Sequence, residues 1–276
     1  MRATASRPDL SALREARRTT RRVARTFALA CRLLPREVRD DVYLLYLVFR
    51  TLDDLVDDGA PDASERVAAV ERWCASGAVE SREATLLADL AQRHELPRGA
   101  LREFCVGMRD DLRGIPVATE EELDVYCYRV AGTVGEVMAA VLGVSRSSAL
   151  AQAAALGMAM QRTNILRDID EDRASGRTYL PEDTLARLGP AEPGRREALL
   201  REQIARADTL YDEGLAGVDA LVYGRRAVRA AATLYREILR QIERDGYGAR
   251  AGRAMVPRRR KLLLAARTSA GREVAR

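Results

Sequence analysis

Two acidic clusters, each ending an apolar helical stretch, are the residues best suited to chemistry. Residues 52–58 read LDDLVDD and residues 167–172 read RDIDED. In each cluster, two carboxylates at i and i+4 project from one helix face. They are Asp53 with Asp57, and Asp168 with Asp172. Like charges at this spacing oppose helix formation, so each face indicates a bound cation. Because no His or Cys lies nearby, the pattern favours Mg²⁺ over Zn²⁺.

Polar neighbours extend both acidic faces. Mg²⁺ usually bridges carboxylates to a phosphorylated substrate, so two such faces opposed across a helical bundle would hold a polyphosphate. Arg50 precedes the first pair by three residues, and Arg167 directly precedes Asp168. Both guanidinium groups can bind phosphate oxygens in fork geometry. Asn164, at i−4 from Asp168, can add an amide oxygen, and Gln161 lies one turn further back.

A solvated helix end is the alternative interpretation of either acidic cluster by itself. Two clusters that each combine i/i+4 geometry, an arginine and an apolar helix favour a metal site. The pair Asp110 and Asp111 lacks an i+4 partner, and we interpret it as solvated. Asn164 is the only Asn in a chain whose only Lys is Lys261, a bias typical of G+C-rich coding sequences. An Asn retained against that bias is a candidate for a specific role, with chance retention as the alternative.

Composition excludes several classes of protein. The 276 residues are 47% apolar and 32% charged, which suits a globular chain with a sizeable core. No apolar run approaches the ~20 residues that span a bilayer, and the N-terminus lacks a secretory stretch. Four cysteines without metal-ligand spacing are expected to be reduced core residues of a cytoplasmic protein. A net charge of +5 with 5% aromatic residues and no known motif argues against nucleic-acid binding.

The elements that must position these residues are helical. Apolar residues recur at three- and four-residue spacing over residues 36–58, 123–142, 150–169, 199–222 and 227–242. Gly and Pro mark breaks at 34–35, 58–61, 114–116, 143 and 188–194, and strand alternation is scarce. We find neither a linker nor a repeat. The sequence therefore predicts one all-α domain over residues 1–276, with about ten helices.

Several stretches resemble, in the right order, the squalene and phytoene synthase family. Residues 46–58 look like the first Asp-rich motif of that family, and residues 161–172 followed by GRTYLP at 176–181 look like the second. Residues 126–135, YCYRVAGTVG, are similar to the central helix of the family. Its N-terminal signature and last helices are matched by residues 26–28, 33–35, 246–247, 256–257 and 260–262. The resemblance covers about residues 20–265.

This resemblance implies an isoprenoid synthase fold around a central cavity. It also implies Mg²⁺-dependent head-to-head (1′-1) condensation of two prenyl diphosphates, C15 or C20, with release of diphosphate. The implied metal ligands, also the catalytic carboxylates, are Asp53, Asp57, Asp168 and Asp172, joined by Asn164 as a further ligand. Implied diphosphate contacts are Tyr46, Arg50, Gln161, Arg167 and Tyr247. Thr26 and Phe27 would bind the first substrate, and catalytic Tyr126 would face the reacting carbons.

Other features leave the product open. Residues 113–119 replace an Arg-Tyr pair that relatives often carry, and aromatic residues are few for an enzyme that shields carbocations. Small residues at 131–135 and 155–159 either leave room for prenyl tails or allow close helix packing. The resemblance suits a phytoene, dehydrosqualene, presqualene diphosphate or squalene-forming enzyme. NADPH use stays open, because relatives that reduce squalene also lack a Rossmann glycine pattern.

Two other functions share the same residues. One keeps diphosphate ionisation but ends in cyclisation or another prenyl transfer, because one fold can host several outcomes. The other is a non-catalytic helical subunit, although the intact Asp pairs argue against it. Residues 256–267 combine a basic cluster with an apolar helical stripe. Our hypothesis is peripheral contact of this segment with an anionic membrane, and the alternative is that its leucines pack on the core.

Overall fold

The structure, a computed structural model, describes residues 9–269 and consists of helices joined by short turns. The side chains of Arg25, Thr26, Leu262 and residues 265–269 lie outside the described residues. The α-helices of the described part are α1 (Leu10–Val23), α2 (Arg25–Cys31), α3 (Arg36–Asp57), α4 (Ala63–Ser76), α5 (Arg82–Ala91), α6 (Arg98–Arg113), α7 (Glu120–Cys127), α8 (Thr133–Leu142), α9 (Ser148–Ala174), α10 (Glu182–Leu188), α11 (Glu197–Ala216), α12 (Arg225–Arg244) and α13 (Arg258–Ser269). The all-α prediction is confirmed.

The predicted helical stretches correspond to the long helices, with two differences. A π-helical turn, Tyr128–Gly132, separates α7 from α8 inside the stretch predicted as one helix. The stretch predicted over 199–222 ends at Ala216, where Gly217 lies against α9: a Cβ added there would be 2.5 Å from Gln152 Cβ. A short 3₁₀ turn, Val218–Ala220, follows and carries the chain into α12.

Three long helices, α3, α9 and α12, run in the same direction. Near their starts, Val144 and Leu221 form an isolated antiparallel bridge. Leu34, just before α3, packs against Gly224, just before α12. Near their ends, Arg177 Nη1 lies 2.8 Å from Asp57 Oδ1, and Arg253 Nε lies 3.0 Å from Asp168 Oδ1. All the acidic pairs singled out in the sequence therefore lie at one end of the bundle.

Buried apolar side chains form two adjoining cores. One gathers α1, α3–α6 and α8 around residues such as Trp73, Leu45 and Leu87, and the other gathers α9, α11 and α12 around Tyr211. The four cysteines are free and buried, as the sequence predicts. Burial alone stabilises large apolar side chains such as Leu45 and Leu87 by about 1.5–3 kcal/mol each.

Arg162 is a charged side chain inside the second core, only 2% exposed. Its guanidinium donates to Asp124 Oδ1 at 2.6 Å, to Gln203 Oε1 at 2.8 Å and to Glu120 Oε2 at 3.1 Å. A buried charge requires such partners, since an unpaired one is strongly destabilising. This network ties α9 to α7 and α11, next to the site residues of α9.

One stretch in the described part, Glu120–Leu142, is long and apolar enough to cross a membrane by length and composition. The sequence predicts no such span. In the structure this stretch is α7, the π turn and α8, which pack against α6 and α9, and 39% of its apolar window is buried. Core helices of globular proteins meet the same criterion, so the stretch is weak evidence for a membrane helix.

Small residues bring α8 and the π turn before it into backbone contact with α9. A Cβ added to Gly135 would lie 2.2 Å from the carbonyl oxygen of Ala153, and one added to Gly157 would lie 2.2 Å from that of Ala131. These distances are far below van der Waals contact. Gly135, Gly157 and Ala131 also line the main cavity, so these small residues serve helix packing and cavity space together.

We expect Gly135→Ala to lower the free energy of unfolding by roughly 1–3 kcal/mol, because the added methyl would force α8 away from the α9 backbone. Gly99→Ala is the matched control: Gly99 lies in α6 with nothing within 4 Å of an added Cβ. That control should be neutral or stabilising by up to about 1 kcal/mol. Urea unfolding measures both values. Equal stability of the two variants would contradict the close α8–α9 contact.

Candidate active site

The first acidic cluster occupies the last turns of α3. Arg50 Nη1 donates to Asp53 Oδ2 at 2.9 Å, and its other terminal nitrogen bonds Asp54. The C-terminal end of a helix carries the negative end of its dipole, so carboxylates there are destabilised twice, by the dipole and by one another. Arg50 therefore offsets a local excess of negative charge.

The second acidic cluster occupies the last turns of α9 and is neutralised in the same way. Arg167 donates to Asp168 from Nε at 2.8 Å and from Nη2 at 2.5 Å. Arg253, from the segment after α12, lies 3.0 Å from the same carboxylate. No sequence pattern singled out Arg253, since it is distant along the chain and lies outside every motif. Two guanidinium groups thus offset the negative charge of Asp168.

The two acidic clusters face each other across the end of the bundle. Arg177, in the turn after α9, donates from Nη1 to Asp57 Oδ1 on α3 at 2.8 Å. Burial raises the pKa of Asp172 to about 6, with Asp168 and Asp57 adding to the rise. The Arg177–Asp57 ion pair joins the turn after α9 to the end of α3, so the two helix ends are close. Burial also raises the pKa of Asp53 to about 6, with a further contribution from Asp57.

The donor set suits a hard cation shared with a ligand. Among the described residues, no three His, Cys, Asp or Glu side chains converge to hold a metal ion by themselves. Each helix instead offers a pair of carboxylates, an arrangement that needs further oxygen ligands. The side chain of Asn164 could supply one such oxygen ligand. Its Oδ1 is buried without a hydrogen-bond partner, while its Nδ2 donates to Gln161 Oε1 at 3.3 Å. A buried amide oxygen left unpaired destabilises the fold unless a ligand satisfies it.

An apolar cavity of about 300 Å³ adjoins this end of the bundle. Tyr46, Gln161 and Asn164 line its polar end, and Ala149 and Leu142 line its far end. Along α9 the distance from Asn164 to Ala149 is about 22 Å at 1.5 Å per residue. Such a cavity can enclose a long hydrocarbon chain whose polar head lies between the acidic clusters.

Aromatic residues predicted to bind substrate lie at this cavity. The rings of Phe27 and Tyr46 are 5.0 Å apart, and both side chains line the cavity. Burial raises the pKa of the Tyr46 hydroxyl to about 12. The side chain of Thr26 lies outside the described residues, although its position in α2 adjoins Phe27.

Asp111 is a site residue that the sequence analysis assigned to the solvated surface, and the structure corrects that interpretation. The Tyr126 hydroxyl donates to Asp111 Oδ2 at 3.4 Å, and the Tyr126 ring stacks on Tyr179 at 5.2 Å. Burial raises the pKa of Asp111 to about 7, the Tyr126 hydrogen bond lowers it, and the charges of Asp57 and Asp53 raise it further. Asp111 comes from α6, so local spacing carried no signal of its place here. Asp110, by contrast, pairs with Arg129 at 2.8 Å.

Tyr247 does not join this group in the structure. Its hydroxyl accepts a hydrogen bond from Arg201 Nη1 at 2.9 Å, and the Arg201 guanidinium lies 4.0 Å from its ring centre. The backbone of Tyr247 has φ of 51°, in the left-handed region. Its neighbours Gly246 and Gly248 line a second, polar cavity of about 610 Å³. Basic residues line that cavity as well, and they are Arg167, Arg196, Arg244, Arg250 and Arg253.

Fold and site together define a class of protein: an isoprenoid-synthase-fold enzyme whose apolar cavity ends between two carboxylate-bearing helices. A family model described as squalene/phytoene synthase matches residues 20–260. The phytoene synthase of Thermus thermophilus is 40% identical over 233 residues, which are 80% of this chain and 78% of that protein. The 15-cis-phytoene synthase of Synechococcus elongatus is 35% identical, with 78% of each chain covered.

Solved structures agree with these sequence relatives. A dehydrosqualene synthase in complex with ligand superposes with a TM-score of 0.85 at 25% identity, covering 95% of this chain and 96% of the other. A squalene synthase from Alicyclobacillus acidocaldarius gives 0.74 at 27% identity, covering 86% and 95%. The chain belongs to the squalene/phytoene synthase family. It is a prenyltransferase of the head-to-head class, and the resemblance seen in the sequence is confirmed.

We expect Asp53→Asn to raise the free energy of unfolding of the metal-free protein at about pH 7 by on the order of 1 kcal/mol, after allowing for the partly exposed carboxylate. A folded-state pKa raised to about 6 means that the wild type loses stability as pH rises from about 4 to about 6. The variant lacks this loss, so its advantage should vanish near pH 4.

Urea unfolding in the presence of a chelator at both pH values measures this difference. Glu95→Gln, at an exposed loop position, is the control and should change stability at neither pH. A variant less stable than wild type at about pH 7 would contradict the proposed charge repulsion at the end of α3.

Proposed function

We propose that this chain condenses two molecules of a C20 prenyl diphosphate head to head and forms the C40 hydrocarbon phytoene. The observation that carries the proposal is the apolar cavity ending at Tyr46, Gln161 and Asn164, beside two facing carboxylate pairs. The relatives from Thermus thermophilus and Synechococcus elongatus, both phytoene synthases, support the choice of C20 over C15. A phytoene-forming condensation ends in loss of a proton and needs no reductant, whereas squalene formation consumes hydride from NADPH.

In this proposal the carboxylates and Asn164 hold divalent ions. The family uses a divalent metal to bind diphosphate, and we propose Mg²⁺ on Asp53 and Asp57 of α3 and on Asn164, Asp168 and Asp172 of α9. When bound, the ions would neutralise diphosphate charge and favour its departure as a leaving group. The unpartnered Oδ1 of Asn164 and the raised pKa values of Asp53 and Asp172 support this assignment.

The arginines have a second role once a diphosphate is present. Arg50 and Arg167 are bonded to carboxylates that cations would neutralise, so their guanidinium groups become free to take phosphate oxygens. Gln161 and Tyr46 line the polar end of the cavity and can donate to the same head group. We keep Tyr247 as a predicted diphosphate contact that requires its hydroxyl to leave Arg201. The polar cavity lined by Arg253 supports binding of two diphosphates side by side.

The cavity walls protect the reacting carbons. Breaking the carbon–oxygen bond of the first substrate releases one diphosphate and leaves an allyl cation. The double bond of the second substrate attacks this cation, and the new carbon–carbon bond is kept by loss of a proton. Departure of the second diphosphate and loss of a second proton then give the hydrocarbon. Apolar walls exclude water, and aromatic faces stabilise positive charge. We propose that Tyr126 faces this cation, held by its hydrogen bond to Asp111 and by stacking on Tyr179. Thr26 and Phe27 would position the first substrate at the α2 side of the cavity.

Peripheral membrane contact of the last helix stays a hypothesis. In its described part, Leu264 is 5% exposed and packs toward α12, and Arg260 bonds Glu237. These contacts support packing of α13 on the core. Leu263 is 56% exposed, and the side chains that follow Leu264 lie outside the described residues.

The test is release of diphosphate from C20 and C15 prenyl diphosphates, with and without NADPH, followed by analysis of the hydrocarbon product. We expect C20 to be the better substrate, a C40 product and no effect of NADPH. Asp53→Asn and Asp168→Asn should each lower turnover by at least about 100-fold while folding normally. A cyclic product from one substrate molecule would overturn head-to-head condensation.

Asp58→Asn is the matched control for these variants, since Asp58 is exposed at the end of α3 and outside both acidic pairs. It should keep near-wild-type turnover. If Asp53→Asn were equally active at saturating Mg²⁺, the assignment of the carboxylates would be wrong.

We expect Asn164→Ala to raise the Mg²⁺ concentration for half-maximal activity by roughly 10- to 100-fold, because it removes a neutral oxygen ligand. Gln161→Ala should raise it less, since Gln161 is proposed to contact diphosphate. Asn164→Asp should be milder than Asn164→Ala, because it keeps an oxygen. Direct titration of Mg²⁺ into enzyme loaded with an unreactive diphosphate analogue gives a second readout. Equal affinities of Asn164→Ala and wild type would contradict the metal role.

A further inference from the structure

Asp170 lies between the two carboxylates of the second acidic pair but does not share their helix face. A step of two residues turns about 200° around an α-helix, away from Asp168 and Asp172 alike. The partner of Asp170 is Arg196, which directly precedes α11 and is 3% exposed. Arg196 donates from Nη1 to Asp170 Oδ1 at 2.7 Å and from Nη2 to Oδ2 at 2.8 Å. The proposed metal sites leave this buried arginine and its carboxylate without a role.

The chain passes over this ion pair shortly after α12. We call residues 246–253 the strap; they form turns and bends rather than a helix. The Gly252 amide of the strap donates to Asp170 Oδ2 at 2.7 Å. Arg196 Nη2 donates to the Arg250 carbonyl at 3.4 Å. The ion pair of Asp170 and Arg196 therefore bonds the backbone of the strap at two points.

Gly248 brings the strap directly onto the Arg196 side chain. A Cβ added to Gly248 would lie 2.1 Å from Arg196 Nε, and the φ of 71° is in the left-handed region. Only a residue without a side chain fits both the contact and the backbone conformation. The Gly248 carbonyl also accepts from the amide of Gly194, two residues before Arg196, at 3.0 Å. Arg196 and the turn before it therefore set the position of the strap.

Arg253 ends the strap at the second acidic cluster. Its Nε lies 3.0 Å from Asp168 Oδ1, and its Nη1 lies 3.3 Å from Glu171 Oε2. Because Arg253 follows Gly252 directly, the bond from Gly252 to Asp170 fixes the backbone from which the Arg253 side chain extends. The ion pair beneath the strap is thus connected to a guanidinium group at the active site.

We propose that Asp170 and Arg196 are positioning residues: their ion pair holds the strap so that Arg253 reaches the end of α9 and binds diphosphate there. A side chain whose backbone is already fixed loses less conformational entropy on binding, so fixing the strap strengthens binding of the ligand. Both residues act through Arg253. The identity of the ligand rests on the proposed function, whereas the placement of the strap does not.

The first test is hydrogen exchange of the strap in the full chain without ligand. Asp170→Asn replaces one accepting oxygen by an NH2 group, so exchange of residues 246–253 should quicken roughly 10-fold, because local opening breaks fewer bonds. Gly248→Ala should also quicken it, since the added methyl would collide with Arg196 while the charges of the ion pair stay intact. Unchanged exchange in either variant would overturn the proposal.

Matched controls separate positioning from overall stability, which the loss of a buried ion pair also lowers. Asp208→Asn removes a carboxylate that accepts from Arg236 at 2.7 Å and Arg240 at 2.6 Å, and its side chain is 21% exposed, as is that of Asp170. Gly77→Ala adds a methyl at a φ of 81°, at the end of α4 and with nothing within 4 Å. Both controls should keep wild-type exchange in the strap. Equal loosening of the strap by Asp208→Asn would overturn the proposal.

The second test is a double-mutant cycle on the affinity for inorganic diphosphate, measured by calorimetry with Mg²⁺ present. Arg253→Gln should weaken binding roughly 10-fold through loss of a charge-assisted hydrogen bond, and Asp170→Asn roughly 3- to 10-fold. With Arg253→Gln already present, Asp170→Asn should weaken binding no further, because its effect passes through that arginine. Additive losses would indicate a purely structural ion pair and overturn the proposal.

The two tests also keep this proposal apart from the proposed function. A wild-type chain that binds no diphosphate would contradict the proposed function, and the hydrogen exchange of the strap would still decide whether Asp170 and Arg196 hold it. A wild-type chain that binds diphosphate with the same affinity as Asp170→Asn would leave the proposed function intact and overturn the positioning role.

Discussion

The repulsion between carboxylates at the ends of α3 and α9 is the interaction on which the rest of the site depends. Both acidic pairs stand where the helix dipole is already negative, and the two helix ends face each other. Arg50, Arg167, Arg177 and Arg253 offset this charge by direct ion pairs. Because an arginine bonded to a carboxylate can exchange it for a phosphate, the same ion pairs that stabilise the protein without ligand prepare it for a diphosphate.

The direction of the long helices separates two environments. The ends of α3 and α9 collect charge, while their beginnings, with that of α12, surround the apolar end of the cavity. Gly135 and Gly157 have no side chains, so the packed helices α8 and α9 leave space for the cavity beside their contact. One end of the bundle can therefore bind a charged head group and the other a hydrocarbon tail. A prenyl diphosphate has both parts.

Helix existence, the acidic motifs and the family could be predicted from the sequence because each depends on local spacing. The 3.6-residue period predicts α3, α9 and α12 within a few residues, and the i/i+4 carboxylates predict which helix faces are charged. The π turn at Tyr128–Gly132 escaped this reasoning, since apolar residues continue at three- and four-residue spacing through the segment, as in an α-helix. The roles of the predicted ligands remain predictions, although the unpartnered Asn164 oxygen supports one of them.

The sequence by itself determined that the chain is helical, where its carboxylates share a face, and which family it resembles, because these are properties of neighbours along the chain. Only the tertiary structure decided that Asp111 meets Tyr126, that Arg253 meets Asp168 and that Tyr247 meets Arg201. Each of these pairs joins different elements, and side-chain contact between elements depends on how helices cross.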